Sequence, residues 1–345
     1  MIEHAEGNLL QADTEALVNT VNCVGYMGKG IALQFKQAYP ENFRVYAQSC
    51  RAKVVQPGRM FIFETGRIVP PKYIINFPTK RHWRGKSHLE DIKSGLAALT
   101  EDVKRLGIRS IAIPPLGCGN GGLNWSEVRP LIAAAFATLP DVRVLLYAPH
   151  GAPDAKTMPI GTDRPKLTAS RALFVKLIEQ YAAMEYRLTL LEIQKLAYFL
   201  QWAGEPLKLR YEAGVYGPYA PNLNKVLERL EGHFIRGYGD SQKPDTEIDL
   251  LPGAVEEANT FLSDRQESLD RLQRVSDLIE GLETPYGMEL LSSVHWVAWH
   301  RTPPVTDATG AVVAVHNWNE RKRSMFKPGH ITIVWQRLQE QGWLT

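Results

Sequence analysis

Twice in its first half the chain passes from a short apolar run through a cluster of glycines into a segment of helical spacing. Ala16 to Val21 leads into Gly25-x-x-Gly28-x-Gly30, and Ser110 to Leu116 leads into Gly117-Cys118-Gly119-Asn120-Gly121-Gly122. Strands whose ends open onto helix N-termini restrict the fold to a layered α/β architecture. Backbone amides approach a phosphate closely only where side chains are absent, and a helix N-terminus adds a favourable dipole. Either loop alone reads as a tight turn. Two in one α/β domain point to a clamp on a diphosphate. The second loop fits G-x-G-x-x-G formally, but no acidic ribose-binding residue follows a next strand, which argues against a Rossmann site. The P-loop pattern G-x-x-x-x-G-K-[ST] is absent from the sequence. The cysteines are scattered and no His/Asp cluster has ligand spacing, so neither a metal nor a cofactor is expected.

The remaining pattern divides the chain in two. Met60 to Glu64, Tyr73 to Phe77 and Val142 to Tyr147 read as strands. A helix is expected from about Ile31 to Pro40, and another from Ser126. Ser87-His88-Leu89-Glu90 reads as a capping box, with Ser87 as N-cap, opening a helix to about Leu106. This alternation predicts an α/β domain over residues 1–152, a mixed sheet sandwiched by helices. Residues 153–165, rich in Gly, Pro and small polar residues, read as a linker. Residues 166–345 read as a mostly α-helical domain, with helices near 167–184, 190–202, 222–230, 252–263 and 269–282. Gly310 to Val315 (GAVVAV) is the one strand-like stretch there.

The net charge of +3 hides an asymmetry. The first half is basic, which suits an anionic ligand. Residues 240–289 carry several acidic residues for each basic one. That stretch reads either as a solvated helical face or as a surface for a basic partner. The N-terminus lacks the basic and apolar regions of a signal peptide, and no run reaches the ~18 apolar residues of a membrane span. A cytoplasmic location, no membrane partner, and free thiols at Cys23, Cys50 and Cys118 are expected.

Four motifs then occur in a familiar order. They are Gly7-Asn8-Leu9-Leu10, Val18-Asn19-Thr20-Val21-Asn22, Gly28-Lys29-Gly30-Ile31-Ala32 and the loop Gly117 to Gly122. Residues 1–150 thereby resemble macrodomains, which bind ADP-ribose. Phe77-Pro78-Thr79-Lys80 before Trp83, with Gly117-Cys118-Gly119 and Trp125 downstream, is similar to the terminal ADP-ribose glycohydrolase branch. Over its full length the chain resembles the antitoxin family of DarT–DarG toxin–antitoxin pairs. Leu190 to Phe199 and Glu212 to Pro218 are similar to the helical antitoxin module called Panacea, or SocA-like.

The resemblance implies roles for individual residues. Asn8 stands where most macrodomains have an adenine-reading Asp, with Leu9 beside it as a backbone contact. Asn22 would hold the distal ribose, flanked by Thr20 and Val21, and Asn19 would be structural. Gly28, Gly30 and Ile31 would take phosphate at a helix N-terminus. Thr79 and the second loop (Gly117, Cys118, Gly119, Asn120, Gly121, Gly122) would line the ribose side. Tyr147 reads equally as an adenine-stacking ring and as a core aromatic. The implied substrate is single-stranded DNA carrying ADP-ribose on thymine, and the implied partner of residues 166–345 is the DarT toxin. In the related branch an Asp of the glycine loop assists, and here Gly121 or Asn120 occupies its place.

Lys80 separates the competing functions. It stands among Arg81, His82, Trp83, Arg84 and Lys86. One reading is a basic loop that holds a nucleic-acid backbone, with Trp83 stacking on a base. The other is a nucleophile. An ordinary lysine, with a pKa of ~10.4, is protonated and cannot attack, but neighbouring cations and burial depress that value. Arg81, Arg84 and Lys86 are expected to supply the cations and, with Trp83, to contact DNA. An ADP-ribose-removing enzyme with Lys80 as nucleophile and a non-catalytic ADP-ribose binder both remain open from the residues. A helical adaptor with a vestigial first domain is a third possibility. The resemblance implies the enzyme. Cys23 and Cys118 border the glycine loops, but no base partner for a thiol is evident.

Overall fold

The computed structural model describes residues 1–149, 157–182, 188–239 and 243–344. They form two compact units, Met1–Asp163 and Arg164–Thr345. The first contains six strands, β1 (Ile2–Ala5), β2 (Ala16–Asn22), β3 (Phe61–Glu64), β4 (Tyr73–Lys80), β5 (Ser110–Ile113) and β6 (Arg143–Tyr147). They form one sheet in the order β1-β6-β5-β2-β4-β3. Every neighbouring pair is parallel except β3 with β4. The helices are α1 (Gly30–Ala38), α2 (Pro40–Arg51), α3 (Leu89–Leu106) and α4 (Trp125–Phe136).

Alternation along the strands sends neighbouring side chains to opposite faces. Ala16, Val18, Ile75, Phe77, Ile111 and Ile113 pack with Ile92 and Leu96 of α3 and Ile132 of α4. Leu17, Ile74 and Ala112 point the other way, onto Phe35 of α1. The mixed sheet with helices on both faces is therefore as the sequence predicts.

Gly95 shows how tightly one face is closed. A Cβ there would lie 2.3 Å from Cζ of the buried Phe77 ring. Alanine is the better helix former, yet Gly95→Ala will destabilise the first unit by about 1–3 kcal/mol, because a fully buried ring cannot give way. Urea unfolding of the variant checks this.

Two local expectations are corrected here. Ser87 does not cap α3. His88 is the N-cap, without a side-chain capping bond, and the Ser87 hydroxyl is buried under the second glycine loop instead. Pro40 ends α1 but also opens α2 as its first residue, as suits a residue whose missing N–H is lost at no cost there. Of the expected linker 153–165, residues 153–156 lie outside the described residues. Thr157 accepts hydrogen bonds from Asn8 and Gln11, and Gly161 donates to Gln37, so this segment is tied to the first unit.

The second unit is mostly helical. It comprises α5 (Ala169–Ala182), α6 (Leu190–Trp202), α7 (Asn224–Leu230), α8 (Ala254–Leu262), α9 (Gln266–Ile279), α10 (Pro285–His300), α11 (Ala308–His316), α12 (Glu320–Met325) and α13 (Pro328–Glu340). Two small hairpins join them, β7 (Glu212–Gly214) with β8 (Gly217–Tyr219), and β9 (Ile235–Arg236) with β10 (Asp249–Leu250). The strand-like GAVVAV run lies in α11. Asp307 caps that helix by accepting from the Gly310 amide at 2.7 Å, and the cap overrides the β-branched composition. Among the described residues no helix is long and apolar enough to cross a membrane.

Candidate active site

Strands β5, β2 and β4 are neighbours, and the two pairs that β2 makes with them are parallel, so the loops after all three leave the same edge. Those loops are the first glycine loop, the basic segment after Lys80, and the second glycine loop. Carboxyl ends of parallel strands are the usual place for a ligand crevice.

Asn22 ends β2 and pairs with Lys80 across a register shift between Val21 and Asn22. Its side-chain oxygen accepts from the amides of Val24 (3.0 Å) and Tyr26 (3.3 Å), and its Nδ2 donates to the Tyr26 carbonyl. The Tyr46 hydroxyl donates to its backbone oxygen. Asn22 thus shapes the loop from within. Asn19 lies below it in a buried amide chain, donating to Asn76 at 2.9 Å, while Asn76 donates to Asn42 at 2.7 Å. Gly25 at φ +81° allows the loop to turn tightly over Ala47 of α2.

The second loop closes on itself. Gly122 donates to Gly119 (3.1 Å) and Leu123 to Gly117 (3.0 Å). A Cβ at Gly121 would sit 2.2 Å from both the Gly117 carbonyl oxygen and the Ser87 hydroxyl. No side chain, and so no carboxylate, fits there. The two loops meet: a Cβ on Gly30 would lie 3.2 Å from Asn120 Nδ2. Gly28 and Gly119 face open space. Lys29 is the N-cap of α1 and makes no side-chain capping bond, and a helix N-terminus beside the loops favours an anion.

Lys80 stands between them. Its Nζ donates to the Asn120 carbonyl oxygen, and the side chain is half-buried. Burial holds its pKa below the ordinary lysine value, and the Lys29 ammonium adds to the effect. The expected source of that charge is corrected in part. Arg81 pairs with Asp91 at 2.8 Å, and Arg84 lies over the Trp83 ring at 4.6 Å. The cation that bears on Lys80 comes instead from the first glycine loop. Sequence proximity pointed to the wrong residues, because the contact exists only once β2 and β4 pair.

Trp83 and Lys86 are exposed. Trp83 stacks on His82 and faces Tyr26 with ring centroids 6.0 Å apart. Tyr26 was not among the expected site residues. Its signal was present, an exposed-type aromatic inside a glycine loop.

The expected adenine side is more enclosed. Asn8 Oδ1 accepts from the Leu10 amide at 3.0 Å, and its Nδ2 donates to the Thr157 carbonyl at 3.0 Å. Leu9 and Tyr147 pack together in the core with Phe35, which favours the core reading of Tyr147. Ile31 and Thr20 are half-buried, Val21 is buried, and Thr79 is buried with its hydroxyl directed at the Val21 carbonyl. Burial raises the Cys23 and Cys118 thiols to about 11, so neither is a thiolate at neutral pH. Among the described residues no group of His, Cys, Asp and Glu side chains is placed to hold a metal ion.

Comparison with known proteins agrees with this geometry. Residues 18–132 match the family model described as Macro domain. The chain is 45% identical, over 99% of its length and 94% of the relative's, to a DNA ADP-ribosyl glycohydrolase of Thermus aquaticus. It is 41% identical, over 98% of its length and 99% of the relative's, to a DNA ADP-ribosyl glycohydrolase of Mycobacterium tuberculosis. A third relative, 35% identical over 42% of this chain and 41% of its own, is a DNA ADP-ribosyl transferase–DNA ADP-ribosyl glycohydrolase fusion protein of Thermosipho africanus.

Proposed function

The chain belongs to the family of DNA ADP-ribosyl glycohydrolases, and we propose that it frees ADP-ribose from thymine of single-stranded DNA with Lys80 as the nucleophile. It is an enzyme, a hydrolase of that family, and its first unit is a macrodomain. The observation that carries the proposal is the half-buried Lys80 amine, held between two glycine loops and kept below its ordinary pKa.

The diphosphate would lie on the amides of α1 beside Lys29, which places the distal ribose near Lys80. The neutral Nζ attacks C1″, the C1″–N bond breaks, and the thymine nitrogen takes up a proton. The opened sugar remains on Nζ as an imine, and water then hydrolyses it to ADP-ribose and free lysine. Gly121 excludes a carboxylate from the loop, so the hydrolytic water would be activated by another group, such as the ligand's own phosphate. The exposed Trp83, Arg84 and Lys86 suit a DNA strand crossing the mouth.

We propose further that residues 166–345 bind the DarT toxin. The fusion relative joins a transferase and a glycohydrolase in one chain, which supports a transferase as the partner. Glu256, Asp264, Asp270 and Asp277 are exposed on and between α8 and α9, and their negative charge would imitate phosphates toward the toxin's DNA-binding cleft. Reversing these charges should weaken the toxin complex.

Incubation with an ADP-ribosylated single-stranded oligonucleotide tests the activity. Free ADP-ribose and the unmodified oligonucleotide are expected, with a matched ADP-ribosylated RNA cleaved more slowly. Binding without release would make the protein a reader.

A further inference from the structure

The second unit contains a cavity of about 310 Å³ lined by Tyr198, Gln201, Trp202, Tyr211, Trp296 and His300. Trp296 and His300 stack in parallel, 3.7 Å between centroids. Trp202 stands across that stack at 83° to His300, and Tyr211 stands at 79° to Tyr198. Tyr198 in turn stands at 60° to Trp202 and 45° to Trp296, so the lining rings converge from several directions. Trp202 is 36% exposed, so the box opens to solvent.

The hydroxyl protons of the lining are given to acceptors within the protein. His295 Nε2 faces the Trp343 carbonyl at 3.2 Å. A carbonyl only accepts, so Nε2 carries the proton and Nδ1 is a lone pair. Burial lowers the His295 pKa to about 3, which keeps the ring neutral. The Tyr198 hydroxyl accordingly donates to Nδ1 at 2.8 Å. The Tyr211 hydroxyl donates to the Gln194 carbonyl at 3.4 Å. His300 Nδ1 faces the Trp296 carbonyl at 3.2 Å, so Nδ1 carries a proton. Gln201 is fastened to the backbone of Leu209 through both ends of its amide. The Tyr198 and Tyr211 oxygens keep their lone pairs, and the donors left in the lining include the indole N–H groups of Trp202 and Trp296.

We propose that this aromatic box binds an organic cation, an arginine side chain presented by a protein partner. Ring faces attract cations, and a guanidinium can stack on an indole while its five N–H groups reach the lone pairs. Helix α6, which carries Tyr198, Gln201 and Trp202, packs against α9, and the exposed carboxylates on α8 and α9 favour a basic partner for this unit. The box is independent of the chemistry assigned to Lys80.

The test uses the full chain labelled with 15N-tryptophan, following indole signals by NMR. Four probes are titrated at constant ionic strength: N-acetyl-arginine amide, N-acetyl-lysine amide, tetramethylammonium, and the neutral isostere N-acetyl-citrulline amide. The arginine probe should shift the Trp202 and Trp296 signals saturably, with the citrulline probe about tenfold weaker or more. Trp296→Leu, which keeps an apolar wall, should abolish the effect. Equal binding of the citrulline probe would overturn the proposal, since an uncharged pocket would then suffice. So would tighter binding of tetramethylammonium or the lysine probe, or the absence of any saturable shift. The comparison of probes on the unsubstituted protein decides the matter even if Trp296→Leu fails to fold.

Discussion

Lys80→Ala will lower ADP-ribose release from modified DNA by about 10³-fold or more while leaving ADP-ribose binding nearly unchanged, because the substitution removes the attacking atom and not the glycine cradle. Lys80→Arg will not rescue the rate, since a guanidinium stays charged and is no nucleophile. The pH dependence follows from the environment of the amine. Burial and Lys29 hold its pKa below the ordinary lysine value. The reactive neutral fraction therefore grows as pH rises through that lowered value, and the rate should climb with it. Lys29→Ala removes one of the two causes and should move the rise toward higher pH. Single-turnover rates between neutral and alkaline pH, with isothermal titration of ADP-ribose to each variant, separate chemistry from binding. Full activity in Lys80→Ala would exclude the amine from the reaction.

Gly121→Asp will inactivate the enzyme, although it introduces the carboxylate found in the related branch. The added Cβ would meet the Gly117 carbonyl oxygen and the Ser87 hydroxyl at 2.2 Å, one of them backbone that has little room to move. The loop must shift, and with it the Asn120 carbonyl that holds Lys80. A displacement of about 1 Å at a reacting group costs on the order of 10²-fold in rate, and the overpacking about 1–3 kcal/mol in stability. Thermal unfolding and ADP-ribose release, measured together, check both. A Gly121→Asp enzyme as stable and as active as the parent would show that the loop is not closed as described.

Much of this site was legible because it is local. A strand, a glycine cluster and a helix start are sequence-contiguous, so both loops could be read directly, whereas the strand expected to end at Phe77 runs on to Lys80. What sequence missed depends on pairing between distant segments. Lys29 bears on Lys80 only because β2 lies beside β4. Arg81 was closer in sequence, but Asp91 on the first turn of α3 holds its guanidinium. Ser87 has the spacing of a capping box, yet burial under Gly117 and Gly121 outweighed the cap. In the second unit, β-branched residues in GAVVAV suggested a strand where the Asp307 cap and helix packing prevailed.

One experiment bears most directly on the amine as nucleophile. The enzyme is mixed with ADP-ribosylated single-stranded DNA, quenched with borohydride during turnover, digested and mapped by mass spectrometry. A reduced ADP-ribose adduct on the peptide carrying Lys80, absent from Lys80→Ala, is the expected result. Undiminished release of ADP-ribose with no adduct at Lys80 would contradict it.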